Sequence, residues 1–302
     1  MQRIGLLLVG LSTLAPAGGN AQQATGTTLW RVAATTLATP PALAQGAAAA
    51  IWNPAQTQDS ARFQLALEAI QTPSSVDATG VIGTMRIPAG KIGHVGLIYG
   101  RVGLSDITQT SDSPDPTGST VPVYTYTLGT NWSKRLSGTD VGATLGFHET
   151  RLDMTSDSRW TLDVGASRSL WGDGLRVAAA THFFSSLTAD DPAQDVYAGV
   201  EARLWRGPVS ESGDRVIVRG RYGMSFAHGF TADHQFGVGA EFSKVVMVDL
   251  LFAREGGYGE GSWRPVAGLG VNIGKYRIAV ARDAGVNELG SAYRVGVEAR
   301  FK

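Results

Sequence analysis

From about residue 62 to the end of the chain, apolar residues alternate with polar or very small ones. In YRVGVEARF, Tyr293, Val295, Val297, Ala299 and Phe301 point one way, and Arg294, Gly296, Glu298 and Arg300 point the other. QFGVGAEF sets Phe236, Val238, Ala240 and Phe242 against Gln235, Gly237, Gly239 and Glu241. DVYAGVEARLW sets Val196, Ala198, Val200, Ala202 and Leu204 against Tyr197, Gly199, Glu201, Arg203 and Trp205. A period of two is the strand signature, because successive side chains leave opposite faces. A helix would need apolar residues at i, i+3, i+4 and i+7, which these segments do not sustain.

About fourteen such segments follow one another, near 62–70, 79–87, 91–103, 122–133, 138–150, 159–170, 174–185, 194–206, 214–226, 233–243, 246–254, 263–273, 276–283 and 291–301. Most have the ~9–11 residues that carry a tilted strand across a bilayer. Their connections alternate between long and short. Tight links fall at Pro88-Ala89-Gly90, at RLSG, at Trp171-Gly172-Asp173, at Lys244-Val245 and at Gly274-Lys275, while GPVSESGD breaks the rule. Short turns on one rim and long loops on the other describe an outer-membrane barrel, and an even strand count puts both strand termini on the periplasmic side. A soluble sandwich or propeller has no need of that alternation. The expected fold is therefore all-β: a transmembrane antiparallel barrel of about fourteen strands, closed because lipid leaves no other way to satisfy strand backbone groups.

The N-terminus reads as a secretory signal over residues 1–21. Arg3 supplies the positive start, Ile4 to Ala15 is an apolar run too short for a membrane span, and a small-residue cleavage site follows, placed after Ala21. No later stretch approaches ~18 consecutive apolar residues, so no helical span is expected. The chain of 302 residues then divides into a segment 22–61 and a barrel 62–302, in the outer membrane of a Gram-negative cell. Its 26 basic residues balance its 26 acidic ones, which gives a nucleic-acid partner no support. The absence of cysteine excludes disulfides, thiolate metal sites and cysteine nucleophiles. Five histidines show no HExxH-type spacing, so neither a metal nor any other cofactor is expected.

On the barrel, the Val, Leu, Phe and Tyr face should meet lipid, and the Gly, Thr, Ser and charged face should line the lumen. That assigns Asp163, Glu201, Arg203, Arg219, Arg221, Glu241, Asp249, Arg277, Arg294, Glu298 and Arg300 to the interior. Both signs of charge occur there, so they neutralise one another across a narrow space, filling the lumen or lining a path. Trp132, Trp160, Trp171, Phe183, Phe184, Trp205 and Trp263 fall near segment ends, where aromatic girdles sit.

Residues 22–61 are rich in Ala and Thr and poor in charge, and they contain Pro40-Pro41 and Pro54. A fourteen-strand barrel leaves an interior to be filled or kept as a channel. Small residues pack close to a wall, and Pro54 stops helix continuation at Asn53. The segment is therefore expected to be a lumen plug, with Trp52 as its apolar anchor. The stretch AAAAIWNPA, Ala47 to Ala55, placed just before the first amphipathic strand, resembles the N-terminal hatch motif of the long-chain fatty-acid transporter (FadL) family. It is similar as well to the PorV/PorQ-like outer-membrane proteins. Asn53, Pro54 and Ala55 carry the match. Gln56-Thr57 replaces the Gly-Leu that usually follows, LATPPALAQG replaces the upstream glycine run, and the chain is short for a fatty-acid transporter. The resemblance implies a plugged fourteen-strand barrel, with uptake of hydrophobic molecules in one branch and a role in secretion or surface attachment in the other. The C-terminus is similar to the assembly signal of such barrels: Tyr293, Val295, Val297 and Phe301 keep its register, although Lys302 follows the terminal aromatic. Outer-membrane lipid and the barrel-assembly machinery are accordingly expected partners.

An enzymatic reading finds little purchase. No GxSxG elbow occurs; His148 and His182 read as ordinary polar lumen residues, His228 and His234 flank a loop with Asp233, and Asp190-Asp191 sit in a turn before Pro192. Two functions remain. One is passive transport of small or hydrophobic molecules, by plug displacement or by lateral exit where glycines bend the wall (Gly93, Gly96, Gly100, Gly103). The other is a closed barrel whose loops, notably Asp106 to Val121, bind a secretion partner. Polar, Pro-containing loops of that kind are often disordered.

Overall fold

The computed structural model describes residues 29–30, 33–46, 48–55, 63–73, 77–104, 107–110, 116–182, 195–208, 215–227, 231–254, 263–285 and 290–301. The strands are β1 (Phe63–Gln71), β2 (Ala78–Pro88), β3 (His94–Leu104), β4 (Thr108–Thr110), β5 (Pro116–Thr120), β6 (Val123–Leu136), β7 (Thr139–Leu152) and β8 (Thr155–Leu170). They continue as β9 (Leu175–His182), β10 (Asp195–Pro208), β11 (Arg215–Ala227), β12 (Asp233–Phe242), β13 (Val246–Arg254), β14 (Trp263–Ile273), β15 (Tyr276–Asp283) and β16 (Ala292–Phe301).

Fourteen of these strands, all but β4 and β5, close into one antiparallel barrel in which each strand pairs with its neighbours in sequence. Closure is made by β1 against β16, from Phe63 opposite Phe301 to Gln71 opposite Tyr293. Both ends of the barrel chain therefore lie at the rim that carries the short turns. Each strand matches an expected segment to within a few residues. The physical cause is the alternation itself, since one face must meet apolar surroundings and the other must not. Outward on β16 stand Tyr293, Val295, Val297 and Phe301, all exposed on the isolated barrel, and Arg294 and Glu298 are buried inward. Leu65, Leu67, Leu145, Leu162, Val238 and Val280 continue the outward apolar belt around the wall.

The short turns follow local chemistry. Ser137 and Gly138 both hold positive φ, 48° and 81°, which is the primed two-residue hairpin whose twist matches the flanking strands. At the β2–β3 link a single 3₁₀ turn, Gly90–Ile92, precedes His94, so β3 starts three residues later than its sequence pattern suggests. Gly93 sits at φ 110°, and a Cβ there would lie 2.3 Å from the Ser133 carbonyl oxygen. Only glycine fits. The indole of Trp132 donates to Ile92 O at 2.8 Å and pins the turn to the wall.

Three expectations need correction. The loop from Asp106 to Val121, read as a stretch often disordered, carries a small antiparallel ribbon, β4 with β5. Leu204 and Trp205 do not alternate: the pairing of β10 with β11 slips between Arg203 and Trp205, and both side chains end up outside. A bulge adds one residue to one strand and so resets which face follows. The inner face is also more apolar than its sequence suggested. Ile70, Ile82, Ile98, Val102 and Val123 point inward and are buried in one core with Trp30, Leu43, Ile51 and Trp52, joined by Tyr197 from the face expected to point inward. The signal peptide and Phe183, Phe184, Asp190, Asp191 and His228 lie outside the described residues.

Candidate functional site: the lumen and the segment packed against its wall

The described part of 22–61 is a chain of short turns. Residues 29–30 and 33–35 are helical, and 3₁₀ turns follow at Pro41–Leu43 and Ala48–Ile51. Alanine runs suit such turns because they demand little side-chain room, and Pro54 halts the last of them. Asn53 then stitches the segment together. Its Nδ2 donates to Ala42 O at 2.7 Å, and its Oδ1 accepts from the Ala55 backbone N–H at 3.0 Å. An aspartate would supply only the second of these bonds, which accounts for the amide in Trp52-Asn53-Pro54-Ala55. Trp52 is fully buried, with the Trp30 ring 6.3 Å away edge-on and the His182 ring 5.2 Å away.

This segment lies against the inward-facing side of the wall, and the wall is cut back to receive it. Six glycines on six strands sit directly beneath it. A Cβ on Gly100 would lie 2.4 Å from Trp30 Cη2, and one on Gly199 would lie 2.7 Å from Leu43 Cγ. On Gly223 it would meet Pro40 Cβ at 2.4 Å, and on Gly268 it would meet Ala38 Cβ at 2.6 Å. On Gly142 it would lie 2.1 Å from Pro54 O, and on Gly165 2.3 Å from Asn53 Oδ1. Of the glycine run read in β3, Gly100 alone belongs to this set. The run opens no gap: β3 pairs from end to end with β2 and with β6.

Polar contacts reinforce the fit. Arg294 donates from Nη2 to Ala33 O at 2.8 Å and from Nε to Thr36 Oγ1 at 3.0 Å, while its Nη1 holds Glu68 at 3.1 Å. Its guanidinium lies 5.6 Å from the Trp52 ring centre. Arg264 donates to Thr35 O at 3.1 Å and pairs with Asp283; Arg176 donates to Leu43 O at 3.3 Å. Asn131 Nδ2 reaches Pro54 O at 3.4 Å, and Trp30 Nε1 donates to Thr125 Oγ1 at 3.2 Å. The wall arginines thus take the carbonyls that a short helix leaves unsatisfied at its end.

All eleven predicted lumen residues are on inward positions, and most are paired. Arg221 bridges Glu201 at 2.6 Å and Asp249; Arg219 holds Glu241 at 2.9 Å; Arg300 holds Glu298 at 2.9 Å. Asp163 is buried on β8. Arg203 is the outlying member, at the turn rim, where it pairs with Asp173 and holds that carboxyl below the usual carboxylate range. The predicted neutralisation of facing charges is what the structure brings together on β10–β13. Sequence reading missed Arg176, Arg264 and Glu68, because nothing local tells an arginine that holds a distant carbonyl from one that only fills space. Their inward phase was the one available signal. His148 Nε2 lies 3.1 Å from Thr125 Oγ1, in a polar contact of the lumen wall. Among the described residues no cluster of three or more His, Asp or Glu could hold a metal.

Between the segment and the wall of β11, β13–β16 and β1 lies a cavity of about 120 Å³. Leu37, Leu43 and Trp52 line its segment side, and Arg221, Arg277 and Ala279 are among those on its wall side.

No family model matches this chain, and no curated protein matches it in sequence. Among solved structures it is similar to the toluene transporter TodX of P. putida, at 12% identity and a TM-score of 0.52, over 85% of this chain and 94% of that one. This chain has a TodX-like barrel. The toluene transporter TbuX of Ralstonia pickettii aligns at 12% identity and a TM-score of 0.49, over 87% of this chain and 98% of that one. The KdgM porin aligns at 10% and 0.35, over 79% and 99%. The likeness to TodX is one of fold, and it covers the barrel that follows Asn53-Pro54-Ala55. A TodX-like barrel with an outward apolar belt is an outer-membrane fold.

Proposed function

We propose that this protein is an outer-membrane conduit for small hydrophobic molecules, exported through a signal peptide cleaved after Ala21 and closed at rest by residues 22–61. The observation that carries the reading is the set of six wall glycines, each under a different part of that segment. A structure that needed the segment only as a leader would have no reason to keep six strands bare at the contact points. Displacement of the plug is the favoured opening step, because the backbone ladder around β3 is continuous and a lateral exit would have to break it. The likeness to TodX, a transporter of toluene, supports a small apolar solute as cargo. The apolar inner core around Trp30, Ile51 and Ile98 supports it as well, since such a surface costs an apolar solute little to touch.

The test compares the full mature protein with a version lacking residues 22–61, each in planar bilayers and in liposomes. The intact protein should pass almost no ionic current yet admit toluene, and the deletion should give steady, large conductance. Equal conductance from both would refute the plug, and no toluene entry above protein-free liposomes would refute the cargo.

A further inference from the structure

The arginines of the lumen are matched with acids one after another, and the matching leaves one over. Arg221 is held by Glu201 and Asp249, Arg294 by Glu68, Arg219 by Glu241, and Glu298 is taken by Arg300. Arg277, on β15, has no hydrogen bond or ion pair with any described residue, and its Nε is fully buried. It lines the cavity between the N-terminal segment and the wall. Trp52, on the segment side of the same cavity, is wholly buried, and its indole N–H has no acceptor among the described residues. Buried donors without acceptors are costly, and a charged one more so. The guanidinium of Arg277, a charged donor on the cavity wall with no acid among the described residues to hold it, calls for an acceptor from outside the chain.

The cavity sets the size of that acceptor. At about 120 Å³ it is comparable with the engineered apolar cavity of about 150 Å³ that takes up benzene. It has no room for a long acyl chain. Its charged lining is Arg221, Arg277 and Arg294 with Glu68 and Asp249, and Arg221 is held by Glu201 as well, so Arg277 is the lining guanidinium with no carboxylate among the described residues in contact. The remainder of the lining is apolar or small, with Leu37, Leu43, Ala279 and the Trp52 ring. One anionic group with a compact apolar body matches every part of this description.

We propose that the cavity is a binding site for a small monocarboxylate of one ring or a short chain. Its carboxylate lies on Arg277 and its apolar body lies against Trp52 and Leu43. A planar carboxylate suits the guanidinium fork, which offers two parallel donors. The proposal rests on the reading of residues 22–61 as a lumen plug, because that segment forms half of the site.

Calorimetry on the full mature protein in an uncharged detergent tests it, with benzoate, benzyl alcohol, laurate and inorganic phosphate as probes. Benzoate should bind at least ten-fold more tightly than benzyl alcohol, and laurate and phosphate should not displace it. Arg277→Gln should weaken benzoate ten-fold or more and leave benzyl alcohol unchanged, since a hydrogen bond to a charged group is worth roughly 1.5–3 kcal/mol. Ala279→Leu, which fills the cavity and keeps Arg277, should abolish binding of both. Equal affinity for benzoate and benzyl alcohol would overturn the proposal. So would benzoate binding that survives either substitution, and so would displacement by phosphate. Toluene entry and conductance of the wild-type protein, measured in parallel, test the conduit reading separately, because neither requires a bound anion.

Discussion

Gly142 offers the sharpest test of how residues 22–61 sit. It lies on β7, and a Cβ built there would stand 2.1 Å from Pro54 O, 2.3 Å from Pro54 C and 2.7 Å from Ala55 N. All three atoms are backbone, so no side chain can turn aside. Ordinary contact lies beyond about 3.4 Å, and the Pro54-Ala55 peptide must move by more than an ångström to reach it. Yet that peptide is tied down twice, through Asn131 Nδ2 to Pro54 O and through Asn53 Oδ1 to Ala55 N. Overpacking of a tight contact costs about 1–3 kcal/mol. The cost falls on the seated state alone, because with the segment displaced the β7 wall is free. Gly142→Ala should therefore raise the displaced population roughly 5- to 150-fold. Single-channel recording reads it directly, as more frequent or longer openings of the full mature protein. The deletion of 22–61 carrying the same substitution should conduct like the deletion alone. Unchanged opening statistics in a folded Gly142→Ala protein would refute the reasoning, since the segment would then not occupy the place described. Gly138, with nothing within 4 Å of its would-be Cβ, is the control for glycine replacement in the same hairpin, although its φ of 81° adds strain of its own.

Arg294 carries two bonds to the segment and one to Glu68, so Arg294→Met should lose them together and strand a carboxylate, a loss on the order of 3 kcal/mol. Heat-induced unfolding followed by gel mobility should show a larger penalty in the full chain than in the deletion of 22–61; equal penalties would mean that Arg294 supports the wall only. On the outer face, Leu67 sits mid-strand on β1 and is 59% exposed, between Gly83 and Val297. Leu67→Arg should cost about 2–4 kcal/mol in lipid, read as a lowered urea midpoint in phospholipid vesicles, and an unchanged midpoint would show that this face does not meet lipid.

The alternation of residues was enough to define strands, their number and their two faces. Period two is local, and burial in lipid on one side and a polar lumen on the other leaves no other solution. That is why Arg294, Glu298 and Tyr293 were legible as in or out from nine residues of β16. Trp52-Asn53-Pro54-Ala55 was legible for a related reason: its position before β1 and its helix-stopping proline are properties of the chain itself. Two kinds of feature were not. The bulge after Arg203 moves Trp205 outside, and a one-residue slip in pairing depends on the partner strand β11 rather than on β10. The other kind is contact between distant residues. Gly142 meets Pro54, Gly199 meets Leu43, and Arg264 meets Thr35, 229 positions away. In sequence those glycines are simply small residues on a lumen face and that arginine is simply a charge. The tertiary structure decided which glycines are seats, and it decided that Arg277, which makes no hydrogen bond or ion pair with a described residue, lines a cavity. Pairing is settled by where fourteen strands place their side chains around a closed interior, and closure is a property of the whole chain.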